Sequence, residues 1–246
     1  MNPSKDYTAL AGYRIAVTGG TSGLGLALAR EWHRAGARVA FVARTGSEVE
    51  RIAAELPGSI GIVGDVARKE DIHAIALQVL GGLGGLDVLV NNASSLGPVP
   101  LALLADTECE ELEEALATNL VGPFRLTRAV LGALRASAAE GRGGVVLNIS
   151  SDAAVTPYPG WGAYGSSKAA LAHLSAIWDR ELEGEGVRVL ARDPGDMDTP
   201  LHRIAVPGAD PATLLKPEAS ARELTRVIVA ELEGIARQRA PQAAAA

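Results

Sequence analysis

The sequence predicts a single α/β domain in which one parallel sheet is covered by helices on both faces. Short runs rich in β-branched residues alternate with longer helical patterns along the chain. These runs are continuously apolar, which is typical of parallel strands that are buried on both sides. No linker rich in Pro, Gly or Ser divides the 246 residues, and one α/β domain commonly reaches this length.

The predicted elements follow one another as strand and helix pairs. Strands at 14–19, 38–43 and 59–65 each precede a helical pattern, at 24–36, 47–56 and 69–82. Strand 86–92 precedes a loop and a long helical stretch over 107–137, and strand 144–151 precedes the helix that contains Tyr164. Strand 187–195 precedes a loop at 196–218 and a last helix at roughly 218–236. Repeated βα units of this size build an open, doubly wound sheet with right-handed crossovers.

Composition excludes several classes of function. The net charge is −6 without a long basic run, so neither nucleic acid nor a membrane is an expected partner. Cys109 is the single cysteine and the sequence has no apolar run of 18 residues, which favours a cytoplasmic protein without a membrane span. The four histidines lack metal-ligand spacing, so no metal is expected. We expect residues 1–240 to form the domain and 241–246 to be a disordered tail.

A glycine-rich turn joins the first strand to the first helix. Gly19, Gly23 and Gly25 lie there, where glycine lets the backbone approach a phosphate at the positive end of a helix. A glycine triplet alone also fits a plain tight turn. Its position in the first βα unit favours a dinucleotide site.

The spacing TGxxxGxG, the segment NNAS at 91–94 and the pair Tyr164 and Lys168 in YxxxK together resemble the short-chain dehydrogenase/reductase family. The resemblance extends along nearly the whole chain. Ser94 stands where the family has the final glycine of NNAG. The resemblance implies a Rossmann-type fold and a cofactor site formed by Thr18, Gly19, Thr21, Ser22, Gly23, Leu24, Gly25, Arg44, Asp65, Val66, Asn92, Ala93, Tyr164, Lys168, Pro194, Gly195 and Thr199.

The resemblance also implies a catalytic tetrad of Asn119, Ser151, Tyr164 and Lys168. Tyr164 would exchange the proton, and Ser151 would hydrogen-bond the substrate oxygen. Tyr164 and Lys168 are four residues apart, so they share one helix face, and a nearby ammonium lowers the pKa of a phenol. Asn119 would help to hold Lys168 through a water, as in relatives. Ser150 is expected to point to the opposite face of the sheet.

The cofactor is expected to be NADP(H). In the alignment of GARV with family members, Ala43 occupies the position of the carboxylate that binds the ribose of NAD, and Arg44 follows it. An arginine at this strand end suits a 2′-phosphate.

The chain has no Val/Ile-rich seventh strand with a GG pair. We therefore expect six strands in the order 3-2-1-4-5-6. Many relatives form a tetramer contact with the seventh strand, so a homodimer through the long fourth and fifth helices is expected instead.

The predicted activity is NADPH-dependent interconversion of a ketone or aldehyde and an alcohol. A non-catalytic NADP-binding regulator is an alternative, although such proteins usually lose the Tyr or the Lys. Epimerisation, dehydration and C=C reduction are less favoured, because the glycine spacing and the tyrosine motif do not suit those branches.

The sequence does not identify the substrate. Asp196 and Asp198 would make the mouth of the site acidic, which disfavours anionic acyl carriers. Asp152, Tyr158, Trp161, Met197 and His202 are candidates to line the pocket, or they are ordinary loop residues.

Overall fold

A six-stranded parallel sheet forms the centre of the molecule in the computed structural model, which describes residues 10–239. The predicted order 3-2-1-4-5-6 is confirmed: the strands lie side by side as β3-β2-β1-β4-β5-β6, and every pair is parallel. The strands are β1 (Arg14–Thr18), β2 (Arg38–Ala43), β3 (Ile60–Val63), β4 (Val88–Asn91), β5 (Gly144–Ile149) and β6 (Val187–Arg192). The predicted tail at 241–246 lies outside the described residues.

Helices flank the sheet and return the chain to its starting edge after each strand. They are α1 (Gly23–Arg34), α2 (Gly46–Glu55), α3 (Lys69–Leu83), α4 (Cys109–Leu116), α5 (Gly122–Ala139), α6 (Gly162–Leu182), α7 (Pro200–Ala205) and α8 (Pro217–Arg239). The structure divides the predicted helix 107–137, because a π-helical turn at Ala117–Val121 separates α4 from α5. Within the described residues, no helix is long and apolar enough to cross a membrane.

Alternate residues of the strands supply two separate hydrophobic cores. Val17, Phe41 and Leu147 point to the layer that contains α1, α2 and α8. Ala16 and Val146 point to the opposite layer, where α3, α5 and the end of α6 pack. This division follows from the two-residue period of a strand. It also explains why the strands read as continuously apolar in the sequence.

A buried ion cluster holds the amino-terminal edge of the sheet. Asp87, directly before β4, is fully buried. Arg14 and Arg142 bond its carboxylate at 2.6 and 2.7 Å, and the Ser137 hydroxyl donates to it at 2.6 Å. Although burial alone would raise the pKa of Asp87, hydrogen bonds from these groups hold it far below its usual range. The cluster therefore joins β1, β4 and α5 through a charged carboxylate.

Candidate active site

One large cavity opens at the carboxyl edge of the sheet. Its volume is about 800 Å³, and its walls come from the segments that follow all six strands. The sheet order changes direction between β1 and β4, and ligands of open α/β sheets bind at such a switch point. The fold therefore gathers the predicted site residues around one space.

The glycine turn forms the floor of this cavity beside the start of α1. Gly19 and Gly23 have φ angles of +69° and +50°, which residues with a side chain rarely adopt. Ser22, the N-cap residue of α1, makes no side-chain hydrogen bond to the first amides of the helix. The Gly19 and Gly20 amides donate to the Val42 carbonyl at 2.8 and 3.1 Å. The N–H groups at the start of α1 are therefore the ones available to an anion, and the positive end of the helix favours one.

The side chains of Thr18 and Asn92 hold the turn from behind. The Thr18 hydroxyl accepts hydrogen bonds from the backbone amides of Asn92 and Ala93 at 3.0 and 3.1 Å. The side-chain amide of Asn92 donates to the Thr18 carbonyl at 2.9 Å. A Cβ at Gly25 would collide with the Gly19 carbonyl. Thr18 and Gly25 do not line the cavity. Their role in the structure is to tie β1 to β4 and to bring α1 close.

Arg44 and Asp65 lie at the opposite end of the cavity from β5. Arg44 follows β2 and is exposed, and no carboxylate of the described residues lies within ion-pair distance of it. Asp65 and Val66 follow β3 and line the same end, where Asp65 accepts a hydrogen bond from the Ala67 amide at 2.9 Å. An exposed guanidinium here can bind a phosphate through its planar fork.

Tyr164 and Lys168 face the cavity from the first turns of α6. Their exposed fractions are 8% and 2%. The Lys168 ammonium lies 5.4 Å from the centroid of the Tyr164 ring, and it donates a hydrogen bond to the Ile149 carbonyl at 2.7 Å. The four-residue spacing thus brings both groups to one place.

Burial shifts both groups away from their charged forms. It raises the pKa of Tyr164 to about 12, although hydrogen bonds with Ser151 and Ser94 oppose the rise. It lowers the pKa of Lys168 to about 7. The sequence led us to expect a phenol with a lowered pKa. The structure shows the reverse, because loss of hydration outweighs the opposing influence of Ser151 and Ser94.

Ser151 follows β5 and meets Tyr164 across the cavity. Its hydroxyl donates to Asp152 Oδ1 at 2.9 Å, and the nearby Ser151 side chain opposes the rise in the pKa of Tyr164. Tyr158 donates to Asp152 Oδ2 at 2.8 Å. Ser150 also contributes to the cavity wall, and the direction of its side chain stays a prediction. Of these two neighbouring serines, Ser151 is the one that affects the pKa of Tyr164.

Asn119 lies behind the cavity wall, in the π-helical turn. It is fully buried and does not line the cavity. Its amide nitrogen donates to Ser95 O and Ser167 Oγ, each at 2.8 Å. Its oxygen accepts from Ser94 Oγ at 3.0 Å and Ser95 N at 2.8 Å. Because these bonds use every site of the side chain, Asn119 positions the neighbours of Tyr164 and Lys168.

The predicted loop 196–218 folds over the cavity as an ordered segment. It contains α7 and a 3-10 turn at Pro211–Thr213. Two hydrogen bonds close its base, from Leu215 N to Asp196 O and from Asp198 N to Leu215 O, both at 2.9 Å. The Thr199 hydroxyl caps α7 by accepting from the His202 amide at 3.2 Å.

Asp198 does not contribute to the mouth of the cavity, contrary to the sequence prediction. Arg203 and Lys216 pair with its carboxylate at 2.8 and 3.2 Å. The acidic residues that do line the cavity near β5 and β6 are Asp152, Asp193 and Asp196. Sequence reasoning missed Asp193 and the bond between Asp152 and Ser151, because both depend on loop geometry.

Most of the predicted site residues line the cavity. The exceptions are Thr18, Gly25 and Asn119, which support its wall. The lining residues from the prediction are Gly19, Thr21, Ser22, Gly23, Leu24, Arg44, Asp65, Val66, Asn92, Ala93, Ser151, Tyr164, Lys168, Pro194, Gly195 and Thr199. Tyr158, Trp161, Met197 and His202 line it as well.

Residues 14–208 match the family model described as short chain dehydrogenase. A short chain dehydrogenase of Pseudocercospora fijiensis is 37% identical over 208 residues, which cover 81% of this chain and 64% of that protein. The 2-(R)-hydroxypropyl-CoM dehydrogenase of Xanthobacter autotrophicus is 34% identical over 76% of each chain. The crystal structure of 3-ketoacyl-(acyl-carrier-protein) reductase from Brucella melitensis complexed with NADH is 28% identical, has a TM-score of 0.82 and covers 89% of this chain and 91% of its own.

Proposed function

The chain belongs to the short-chain dehydrogenase family, and on that premise we propose that it interconverts a ketone or aldehyde and an alcohol with NADP(H). The family makes it an oxidoreductase that uses a nicotinamide cofactor. The observation that carries the proposal is the meeting of Tyr164, Lys168 and Ser151 at one cavity wall, beside the glycine turn.

The shape of the turn fits a dinucleotide. A Cβ at Gly19 would lie 2.9 Å from the Asn92 amide nitrogen, and one at Gly23 would lie 3.3 Å from Thr199. Glycine therefore lets the turn pack closely against Asn92 and Thr199, and the free amides at the start of α1 would hold the pyrophosphate. Asp65 and Val66 would border the adenine, and Arg44 would bind a 2′-phosphate. When bound, the cofactor supplies or accepts the hydride.

Tyr164 would supply the proton when a carbonyl is reduced. Because burial raises its pKa to about 12, Tyr164 carries its proton at neutral pH and is ready to act as an acid. Donation leaves a phenolate, and a negative charge here favours the ammonium form of Lys168. Lys168 thus stabilises the product of the proton transfer. In the opposite direction Tyr164 must first lose its proton, so alcohol oxidation should increase with pH.

Replacement of Tyr164 tests the chemistry. Tyr164→Phe should abolish nearly all turnover across a panel of ketones, aldehydes and sugars, while NADPH binding measured by fluorescence stays close to that of the wild type. Lys168→Ala should impair both. Near-normal turnover by the Phe variant would contradict the assigned proton transfer. Tight NADPH binding by the wild type without turnover of any compound would instead favour a regulatory protein.

Replacement of Arg44 tests the cofactor preference. Since the NADH complex of the solved relative does not decide the preference of this chain, the proposal depends on Arg44. The wild type should have a higher kcat/KM with NADPH than with NADH, and Arg44→Ser should remove most of that difference. Arg38→Ser, at the start of β2 on the opposite edge of the sheet, is the matched control. A clear NADH preference of the wild type would refute the assignment.

We also propose a homodimer that pairs the helical face of α5 and α6. The rings of Phe124 and Trp178 lie 5.4 Å apart on this face, and Phe124 and Ile177 are 37% and 43% exposed. Sedimentation of the wild type should show a dimer that Ile177→Glu dissociates. A stable tetramer, or a dimer that the charge leaves unaffected, would contradict this arrangement.

A further inference from the structure

Asp152 is fixed beside the group that faces the reacting oxygen. Its Oδ1 accepts from the Ser151 hydroxyl at 2.9 Å and from the Ala153 amide at 2.8 Å, and its Oδ2 accepts from the Tyr158 hydroxyl at 2.8 Å. Asp152 and Tyr158 are exposed and line the cavity. Although burial by itself raises the pKa of Asp152, these hydrogen bonds lower it below its usual value. The carboxylate is therefore charged at neutral pH.

The single hydrogen of Ser151 limits what this arrangement can bind. While the hydroxyl donates to Asp152, it can only accept a hydrogen bond from a substrate. To donate to a carbonyl oxygen, Ser151 must release Asp152. The carboxylate then loses a charge-assisted hydrogen bond, which is stronger than one between neutral groups. A donor on the substrate can replace the lost partner.

The distances determine where such a donor must be. Ser151 Oγ lies 2.9 Å from Asp152 Oδ1, and a hydrogen bond to a carbonyl oxygen spans about 2.8 Å. The reacting oxygen and Oδ1 are thus separated by roughly 5 Å, the span of two hydrogen bonds meeting at an angle. A hydroxyl or ammonium group on the carbon next to the carbonyl fits between them.

The charges around this half of the cavity favour the same substrates. Asp193 and Asp196 also line it and are exposed. Among the described residues, the lysine and arginine side chains that line the cavity are the buried Lys168 and Arg44, which lies on the far side of β1. An anionic group would therefore be repelled near β5 and β6, whereas an ammonium would be attracted.

We propose that the substrate is a ketone or aldehyde with a hydroxyl or amino group on the adjacent carbon, which Asp152 binds when Ser151 turns to the carbonyl oxygen. This substrate class rests on the proposed oxidoreductase function. Asp152 is then a specificity-determining residue that contacts the substrate, and it also positions Ser151.

Matched small ketones test the inference in the intact enzyme with NADPH. Hydroxyacetone and 2-butanone differ by a hydroxyl in place of a methyl group, and aminoacetone carries the ammonium. The wild type should have a kcat/KM for hydroxyacetone at least about tenfold above that for 2-butanone, a difference of about 1.4 kcal/mol. Asp152→Ala should reduce the ratio towards one, mainly through a higher KM for hydroxyacetone. Asp152→Asn keeps the size and one acceptor oxygen, so it should lose the preference for aminoacetone more than that for hydroxyacetone.

Asp196→Asn is the matched control, because it removes the same charge from the same half of the cavity without a bond to Ser151. The ratio of its kcat/KM for hydroxyacetone to its kcat/KM for 2-butanone should equal that of the wild type. The inference is overturned if the wild-type ratio is near one, or if Asp196→Asn lowers the ratio as much as Asp152→Ala does. If the wild type reduced the ketones with equal kcat/KM, the inference would fail and the proposed oxidoreductase function would stand. Failure to consume any of them or any other carbonyl would overturn both.

Discussion

Removal of the Lys168 amine should stabilise the fold while it destroys the activity. Lys168 is 2% exposed, and burial lowers its pKa from 10.5 to about 7. This change corresponds to a cost of about 5 kcal/mol for holding the charged lysine in the folded state. Lys168→Met removes that cost. It also removes the hydrogen bond to the Ile149 carbonyl, which contributes about 1 kcal/mol. The variant should therefore be more stable by about 4 kcal/mol at pH 7.

The stability gained by Lys168→Met should decrease as the pH rises above 7. Between pH 7 and 10.5 the unfolded chain binds the lysine proton and the folded chain does not, so the wild type becomes more stable as pH rises. The cost is fully present below pH 7, and the difference between variant and wild type should disappear near pH 10.

Urea unfolding at several pH values between 7 and 10 measures this difference, because the other titrating groups are common to both proteins. Lys69→Met, at the exposed start of α3, is the control and should change stability by less than about 0.5 kcal/mol. A stability difference that stays constant with pH, or a variant less stable than the wild type at pH 7, would refute the reasoning.

Three further substitutions probe the support of the site and the opposite edge of the sheet. Asp87→Asn should lower the free energy of unfolding by about 3–5 kcal/mol at pH 7, because it removes the buried carboxylate that pairs with Arg14 and Arg142. The loss should shrink as pH falls below about 4, where the wild-type carboxylate begins to bind its proton in the unfolded chain, and urea titration at each pH checks both. Ser94→Gly removes a hydrogen bond that lowers the pKa of Tyr164, so the pH profile of alcohol oxidation should move to higher pH. An unchanged profile would contradict that contribution. Gly25→Ala would drive a methyl group against the Gly19 carbonyl, and calorimetric titration should show weakened NADPH binding. Unchanged affinity would show that the turn can yield.

The sheet could be predicted because each strand carries its own signal. Continuous apolar runs such as RVAFVA at 38–43 are typical of parallel strands buried on both faces. In the structure, β2 begins and ends at those residues. The sequence predicts the end of a strand less accurately where polar residues directly follow the apolar run. The prediction 187–195 exceeds the observed β6, Val187–Arg192, because Asp193 and the residues after it already belong to the site.

The candidate site could be predicted in its motifs but not in its electrostatics. Spacing along α6 is enough to bring Tyr164 and Lys168 together. Their pKa values depend on how completely the fold excludes water, which the sequence does not express. The π-helical turn around Asn119 and the bond from Ser151 to Asp152 are also decided by tertiary packing. Two relatives with the same motifs could therefore differ in substrate and in optimum pH.

The ion cluster of Asp87 and the Asn92 side of the cavity wall lie at the two ends of the same strand. Asp87 directly precedes β4, and Asn92, which lines the cavity, directly follows it. One short strand thus separates a region that secures the fold from a region that shapes the site. For protein engineering this means that substitutions around Asp87 can be selected for heat tolerance while the substrate range is altered independently at the other edge. Stability gained by substitutions at one end then compensates the stability lost when the substrate specificity is changed at the other.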